Sequence, residues 1–524
     1  MFRPIIMGRN GLVTSAHPLA TQAGLKVLQE GGNAFEAAIT VSSVLSVVHS
    51  HLSGIGGDLF FLLYSARDGQ YSYLNSSGRS PQAADIDTIS SLGYEQMPQR
   101  GILTVTVPGC VSGWGELWQK YATMSLSRIL QPAIEYALEG YPVGYHSVAT
   151  LDNLRDLIRN DPGLRDVFQP AGRLLKPGEI LKQQNLASTL EGIAKNGPSW
   201  FYQGELAQQL TSFLKQKGAL LTGEDLASHI STWGQPLVTT YCNYQLYQTP
   251  PNSQGLAALL AFNILEGLDF ASFGSDSAQL IHYLIEAKKI ACQYREQYIT
   301  DPEFVPVEYE ELLDKQFATR LRKMINPNQA NNARDFAPYL GQSESFIVID
   351  CEGNTIMGAQ SLHAPLGAGF IVPETGIILQ NNAASFSLNP EHINRLEPQK
   401  RPSHTLTATM AVLNGKPILV VGASGGDSQV QVQLQVINRI LNTGLNIQEA
   451  LEQPRWIHGG TYLKLEERFS IDIVGELESW GHKTRTIDDW SSQTGDAQAV
   501  SINPNSGVLQ AGTDPRGESS AAAY

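Results

Sequence analysis

The sequence predicts an α+β fold in which sheets are packed between helix layers, and three observations carry that prediction. Apolar runs come in pairs around short turns, which marks antiparallel hairpins. Helix-patterned stretches alternate with those hairpins, and one late helix carries a broad apolar face that must be covered on more than one side.

In chain order, Ala20 to Leu28 is patterned as a helix that stops at Gly31-Gly32, and Asn33 is placed to cap a second helix over Ala34 to Val48. Asp58 to Tyr64 and Gln70 to Leu74 flank Arg67-Asp68-Gly69 as a first hairpin. From about 110 to 335 the pattern is mostly helical, punctuated at Pro250-Pro251-Asn252-Ser253-Gln254-Gly255. Strands return after Ser343. Phe346 to Asp350 and Thr355 to Ser361 flank Glu352-Gly353-Asn354, and Thr407 to Leu413 and Pro417 to Gly422 flank Asn414-Gly415. A helix from about Asp427 to Leu441 follows, with Val430, Val432, Leu434, Val436, Ile437, Ile440 and Leu441 on its apolar face.

Composition narrows the function classes. The chain has 524 residues, of which 42% are apolar and 16% charged, enough core for several domains or one large layered body. Its net charge of −14 and scattered Lys and Arg exclude an electrostatic footprint for nucleic acid or anionic lipid. Cys110, Cys242, Cys292 and Cys351 lie far apart with no CxxC, which argues against a zinc knuckle, a redox pair or a dense disulfide framework, and for a reducing compartment. The first residues lack the apolar core of a secretory signal. The strongest apolar run, Ala37 to Val48, is broken by Thr40, Ser42, Ser43 and Ser46 and falls short of the ~20 helical residues that span a bilayer. A cytoplasmic protein without membrane contact is the expectation.

The chemistry concentrates at Gly341-Gln342-Ser343-Glu344-Ser345, where a hydroxyl residue opens an apolar strand. If the bond before Ser343 were cut, that serine would carry a nucleophilic Oγ and a free α-amine of pKa about 7.7–8.0, so one residue would supply both nucleophile and base. Glu344 is expected as a solvated strand residue rather than a general acid. His49 and His51 are expected as core or helix-end residues rather than metal ligands, since no HExxH or comparable spacing is present. Gly54-Ile55-Gly56-Gly57-Asp58 lacks the lysine of a phosphate loop.

The chain also resembles a known family. Gly31-Gly32-Asn33-Ala34-Phe35-Glu36-Ala37-Ala38, Gly54-Ile55-Gly56-Gly57-Asp58, Thr106-Val107-Pro108-Gly109, Phe201-Tyr202-Gln203-Gly204, Glu224-Asp225-Leu226 and Pro250-Pro251-Asn252-Ser253-Gln254-Gly255 are followed by Asp301-Pro302, Arg401-Pro402, Gly425-Gly426, Pro454-Arg455-Trp456 and Asp514-Pro515-Arg516. This order is typical of γ-glutamyltransferases, and the likeness is to their bacterial γ-glutamyltransferase-like or acylase branch. The resemblance implies an N-terminal-nucleophile hydrolase fold, a four-layer αββα sandwich made as a self-cutting precursor. Residues 1–342 would form the large subunit region and 343–524 the small one carrying the nucleophile, in one compact body. It further implies a small-molecule substrate that is a γ-glutamyl-like or related acyl amide, cleaved through an acyl-enzyme on Ser343, and no metal or organic cofactor, and it leaves homo-oligomers open.

Matched residue by residue, the family's nucleophilic threonine falls on Ser343, its supporting threonine on Ser361, and its oxyanion-hole glycines on Gly425 and Gly426. The pocket positions fall on His363, Asn382, Ser385, His404 and Thr405. Ser385 stands where the family has the aspartate that pairs with the substrate ammonium, which argues against glutathione itself. The carboxylate-binding arginine is replaced by Ser77, and Arg79, two residues on, is the substitute candidate. Two other readings compete. Gly422-Ala423-Ser424-Gly425-Gly426 matches GxSxG after a strand, so Ser424 with Asp472 and His482 could form a hydrolase triad. A processing-dead relative with a binding role is the third.

Overall fold

The computed structural model describes residues 3–270, 273–274, 277–331 and 342–524. Gly341 and residues 332–335 therefore lie outside the described residues. Fourteen strands build two seven-stranded antiparallel sheets: β1 (Ile6–Gly8), β2 (Leu12–Ser15), β3 (Asp58–Ser65), β4 (Gln70–Ser76), β5 (Thr232–Gly234), β6 (Leu237–Tyr241), β7 (Tyr244–Gln248), β8 (Gln342–Ile349), β9 (Thr355–His363), β10 (Thr409–Leu413), β11 (Lys416–Ala423), β12 (Ala497–Ile502), β13 (Leu509–Thr513) and β14 (Ser520–Ala523). The first sheet runs β14-β2-β8-β9-β3-β4-β5 and the second β1-β13-β12-β11-β10-β7-β6.

Side-chain alternation along β8 shows how the layers form. Phe346 and Val348 point into a core shared with helices α1 (Pro18–Gln29), α2 (Ala34–Val48), α3 (Cys110–Tyr121) and α4 (Leu126–Glu139). Ile347 and Ile349 point the other way, against Met410, Val412, Val420 and Val500 of the second sheet. That sheet is covered on its far side by α5 (Gly255–Leu265), α6 (Ala278–Tyr298), α7 (Ser428–Leu441) and α8 (Ile447–Glu452). The expected αββα sandwich is the observed architecture. All eight residues of β3 are buried because both faces of their sheet are covered, which is why Leu59-Phe60-Phe61-Leu62-Leu63 reads as an unbroken apolar run.

The predicted helix start at Asn33 is a full capping box: its Oδ1 accepts from the Phe35 and Glu36 amides while Glu36 Oε2 accepts from the Asn33 amide. The predicted hairpins are β3–β4, β8–β9 and β10–β11. The middle of the chain is less helical than expected, since β5, β6 and β7 lie within it. β6 and β7 turn at Cys242 and Asn243, both at positive φ (50° and 67°), a conformation that an Asn-Gly pair would have advertised and Cys-Asn does not. Among the described residues no helix is long and apolar enough to cross a membrane.

Candidate functional site

Ser343 sits at an irregularity in the β8–β9 ladder. Gln342 pairs with His363 and Glu344 with Gln360, so β9 carries one extra residue opposite Ser343. The extra length turns the Ser361 hydroxyl onto the backbone, where it donates to the Gln342 carbonyl oxygen and accepts the His363 N–H at 2.7 Å. The Ser361 hydroxyl thus meets the carbonyl before Ser343 rather than the Ser343 hydroxyl that the family's supporting threonine would bond. Ser343 itself is buried, and its Oγ accepts a 2.9 Å hydrogen bond from Gln429 Nε2 on α7. Gln429 is oriented in turn by the Thr407 amide, which donates to its Oε1 at 3.0 Å.

The glycine pair lies three residues before Gln429, at the entry to α7. Gly425 has φ +104° and Gly426 φ +59°, and a Cβ on Gly425 would meet Ser428 Oγ at 2.2 Å, so the turn requires glycine. Neither glycine N–H is bonded to an acceptor among the described residues, while the Gly426 carbonyl accepts from Gln254 Nε2 at 3.2 Å. Two backbone donors fixed before charge develops suit an oxyanion. Gln254, from the Pro250–Gly255 run, also donates to the Thr405 carbonyl at 2.7 Å and accepts from buried Arg295 at 3.1 Å.

His404 joins a buried polar group centred on Asp58. Its Nδ1 accepts the Leu406 amide at 3.3 Å, and its Nε2 lies 3.0 Å from Asn382 Nδ2 and 3.4 Å from Asp58 Oδ2. Asn382 Nδ2 donates to the same carboxylate oxygen, and the Gly78 amide donates to Oδ1 at 3.1 Å. Asn382 Oδ1 and Ser385 Oγ are buried and have no hydrogen-bond partner among the described residues. His363, at φ +73°, has its pKa lowered to about 3 by burial, then by His404 and Arg100, so it is a neutral imidazole. A substrate would therefore meet neutral hydrogen-bonding groups at His363, Asn382 and Ser385.

Arg79 Nη2 donates to the Glu303 carboxylate at 2.7 and 2.8 Å, so a substrate carboxylate at this position would compete with Glu303. One expectation is corrected. Glu344 is not solvated: alternation along β8 sends it toward the end of α2, where it is 3% exposed and its Oε1 lies 3.1 Å from His49 Nδ1. Ser77 is buried too, donating to Asn75 Oδ1 at 2.7 Å.

The Ser424 triad is not assembled. Ser424 Oγ accepts the Asp496 amide at 3.1 Å, His482 Nε2 faces His282 Nδ1 at 2.8 Å, and Asp472 is exposed in the first turn of its own helix. The strand before Ser424 belongs to an antiparallel sheet, whereas a nucleophile elbow belongs to a parallel one. Gly54–Asp58 is a packing loop, since a Cβ on Gly56 would strike the Ile378 carbonyl at 2.2 Å and one on Gly57 the Ser361 carbonyl at 2.3 Å.

Sequence reasoning missed Gln429, Asp58 and the partners of Glu344. Only Asp58 left a signal, as the acidic end of the Gly54–Asp58 run. Taken together, a held peptide carbonyl, an adjacent buried hydroxyl and a turn with two available N–H groups are the parts of an acyl-transfer site.

Comparison with known proteins agrees with that chemistry. A family model described as gamma-glutamyltranspeptidase matches residues 20–524. The glutathione hydrolase-like YwrD proenzyme of Bacillus subtilis strain 168 is 37% identical over 98% of this chain and 99% of its own. The oxamate amidohydrolase proenzyme of Klebsiella pneumoniae is 34% identical over 98% of each. The crystal structure of cephalosporin acylase from Bacillus halodurans superposes with a TM-score of 0.94 at 37% identity, covering 100% of this chain and 97% of its own.

Proposed function

The chain belongs to the γ-glutamyltranspeptidase family, and from that premise we propose that it is a proenzyme cut before Ser343, which then serves as nucleophile toward a small acyl amide lacking an α-ammonium group. It is an N-terminal-nucleophile amidohydrolase or acyltransferase, like its proenzyme relatives. What is proposed concerns this chain's own residues and substrate.

The observation that carries the reading is the hydrogen bond from Ser361 to the Gln342 carbonyl. It withdraws electron density from the carbonyl that Ser343 Oγ would attack. In self-cleavage the Oγ–C bond forms, the C–N bond to Ser343 breaks, and the released amine takes up the hydroxyl proton. Water then hydrolyses the ester, leaving the Gln342 carboxylate and free Ser343. In turnover the same Oγ attacks a substrate amide, the α-amine takes its proton and passes it to the leaving amine, and the Gly425 and Gly426 N–H groups receive the oxyanion. Water or an amine resolves the acyl-enzyme.

The substrate class follows from Ser385 and its neighbours. An ammonium in a buried site needs a carboxylate partner, and a hydroxyl does not replace one. Ser385 Oγ and the neutral His363 can instead donate to an acyl group whose end is uncharged or carries a carboxylate, while Asn382 Oδ1 can accept from an uncharged donor such as an amide or a hydroxyl. Among the relatives, an oxamate amidohydrolase is named for a donor that carries no ammonium. We propose the cytoplasm as the compartment, supported by four free cysteines, Cys351 among them exposed.

Intact-mass analysis tests the cut. Purified protein should give chains of 342 and 182 residues, whereas Ser343→Ala should remain one chain of 57.1 kDa. An unmodified chain still uncut after days near the α-amine pKa of about 7.7–8.0 overturns the reading and leaves a binding role.

A further inference from the structure

Cutting before Ser343 would create a chain end inside the site, and chain ends are poorly ordered unless something ties them down. The ladder does little of that tying. β8 pairs with β2 only from Phe346 onward, so residues 343–345 have a neighbour strand on one side alone, and that side is interrupted opposite Ser343. In the uncut chain Gln342 holds the other end through its pairing with His363 and its bond from Ser361. After the cut that tether is gone.

Side chains supply what the ladder lacks. Ser345 Oγ donates to Gln498 Oε1 of β12 in the space between the sheets. On the opposite face Glu344 Oε1 lies 3.1 Å from His49 Nδ1, and His49 Nε2 lies 3.3 Å from Glu518 Oε2. Glu518 Oε1 accepts the His146 amide at 2.9 Å, so the far end of the bridge is itself fixed to the backbone. One imidazole therefore joins the end of α2, the start of β8 and the segment before β14. The rings of His17 and His51 stand edge-on to it at 4.9 and 5.4 Å.

We propose that the Glu344–His49–Glu518 bridge is the anchor that keeps Ser343 in place once it has become a chain terminus, making these three positioning residues for turnover rather than for self-cleavage. This rests on the reading of Ser343 as the cut and catalytic residue. Burial alone would lower the His49 pKa, but Glu344 and then Glu518 outweigh it and raise it to about 10, so the ring is an imidazolium at neutral pH. A charge-assisted bridge is the stronger kind, and removing one carboxylate weakens it without removing bulk. A misplaced nucleophile lowers kcat, because a shift of about 1 Å can cost ~10²-fold.

The test uses the full chain carrying Glu344→Gln, with Glu518→Gln on the far side of the ring as the variant to read if the first does not fold. Three quantities are measured: the rate of self-cleavage, kcat and KM of the cut protein on an acyl p-nitroanilide, and removal of Ser343 by an added aminopeptidase, seen in the mass of the small subunit. Self-cleavage within threefold of normal, kcat lower by at least fivefold with KM within threefold, and faster loss of Ser343 are expected. A smaller loss of kcat, a terminus as resistant as the normal one, or a fall in self-cleavage as large as the fall in kcat overturns the proposal. An unmodified chain that is never cut removes the underlying reading, and the anchor with it; a cut, active chain indifferent to these substitutions removes the anchor alone.

Discussion

The Ser361 hydroxyl donates to the carbonyl oxygen of Gln342, the residue directly before Ser343. The same oxygen atom of Ser361 accepts the His363 amide, which fixes the hydroxyl hydrogen toward the carbonyl.

Ser361→Ala removes the donor that polarises this carbonyl. Loss of one such preorganised donor costs roughly 10²–10³ in rate, so self-cleavage should slow about 10²-fold, followed as the disappearance of the full-length chain. Cleavage at the normal rate would show that the bond plays no part.

Gln429 and Ser424 lie five residues apart and should behave differently. Gln429→Leu keeps the volume but removes the 2.9 Å donor to Ser343 Oγ, and kcat should fall about tenfold or more with KM nearly unchanged. Ser424→Ala removes a hydroxyl bonded to the Asp496 backbone, and most activity should survive. A folded, cut Ser424→Ala protein without turnover, beside an active Ser343→Ala protein, would exchange their roles.

Specificity is read with two donors of equal chain length. Glutaryl-p-nitroanilide should have a higher kcat/KM than γ-glutamyl-p-nitroanilide, because Ser385 offers no charge to an ammonium. A tenfold preference for the γ-glutamyl compound, about 1.4 kcal/mol in transition-state binding, would mean that another residue supplies the missing carboxylate.

Stability should fall in mild acid. Burial lowers the pKa of His17, His51, His229, His363 and His482 to about 3, and that of His458 to about 2, from 6.5. Between those values the unfolded chain binds protons that the folded chain refuses, so stability rises with pH across the window. His49 runs the other way: its contribution is complete below pH 6.5 and is lost as pH rises toward about 10. Thermal melts should therefore show a lower Tm at pH 5 than at pH 7, and an equal or higher Tm at pH 5 would contradict this account.

The hairpins and the capped helix at Asn33 were legible because their causes are local: turn residues, alternation and a capping box within a few positions. The β6–β7 hairpin was hidden by a turn built from Cys242 and Asn243. Ser343, Ser361, Gly425 and Gly426 were named through the family resemblance, and the structure puts Ser361 on the carbonyl before Ser343. Gln429 was not, since it is one of four glutamines at alternate positions of α7, and only packing tells which reaches Ser343. Glu344 was misjudged because its partner His49 is 295 residues away in sequence, and an acidic residue on a strand gives no sign of burial by itself.

Both sheets contain strands from before and from after residue 343. β2 lies between β14 and β8, and β3 pairs with β9; in the other sheet β1 and the β6–β7 pair flank β10 to β13. A cut at Ser343 would consequently release no fragment, because neither half owns a complete sheet. The uncut chain can find this weave as a single molecule, at a rate independent of concentration. Denatured after the cut, two separate chains would have to meet and share fourteen strands, so cleavage would turn a unimolecular folding reaction into one that slows with dilution.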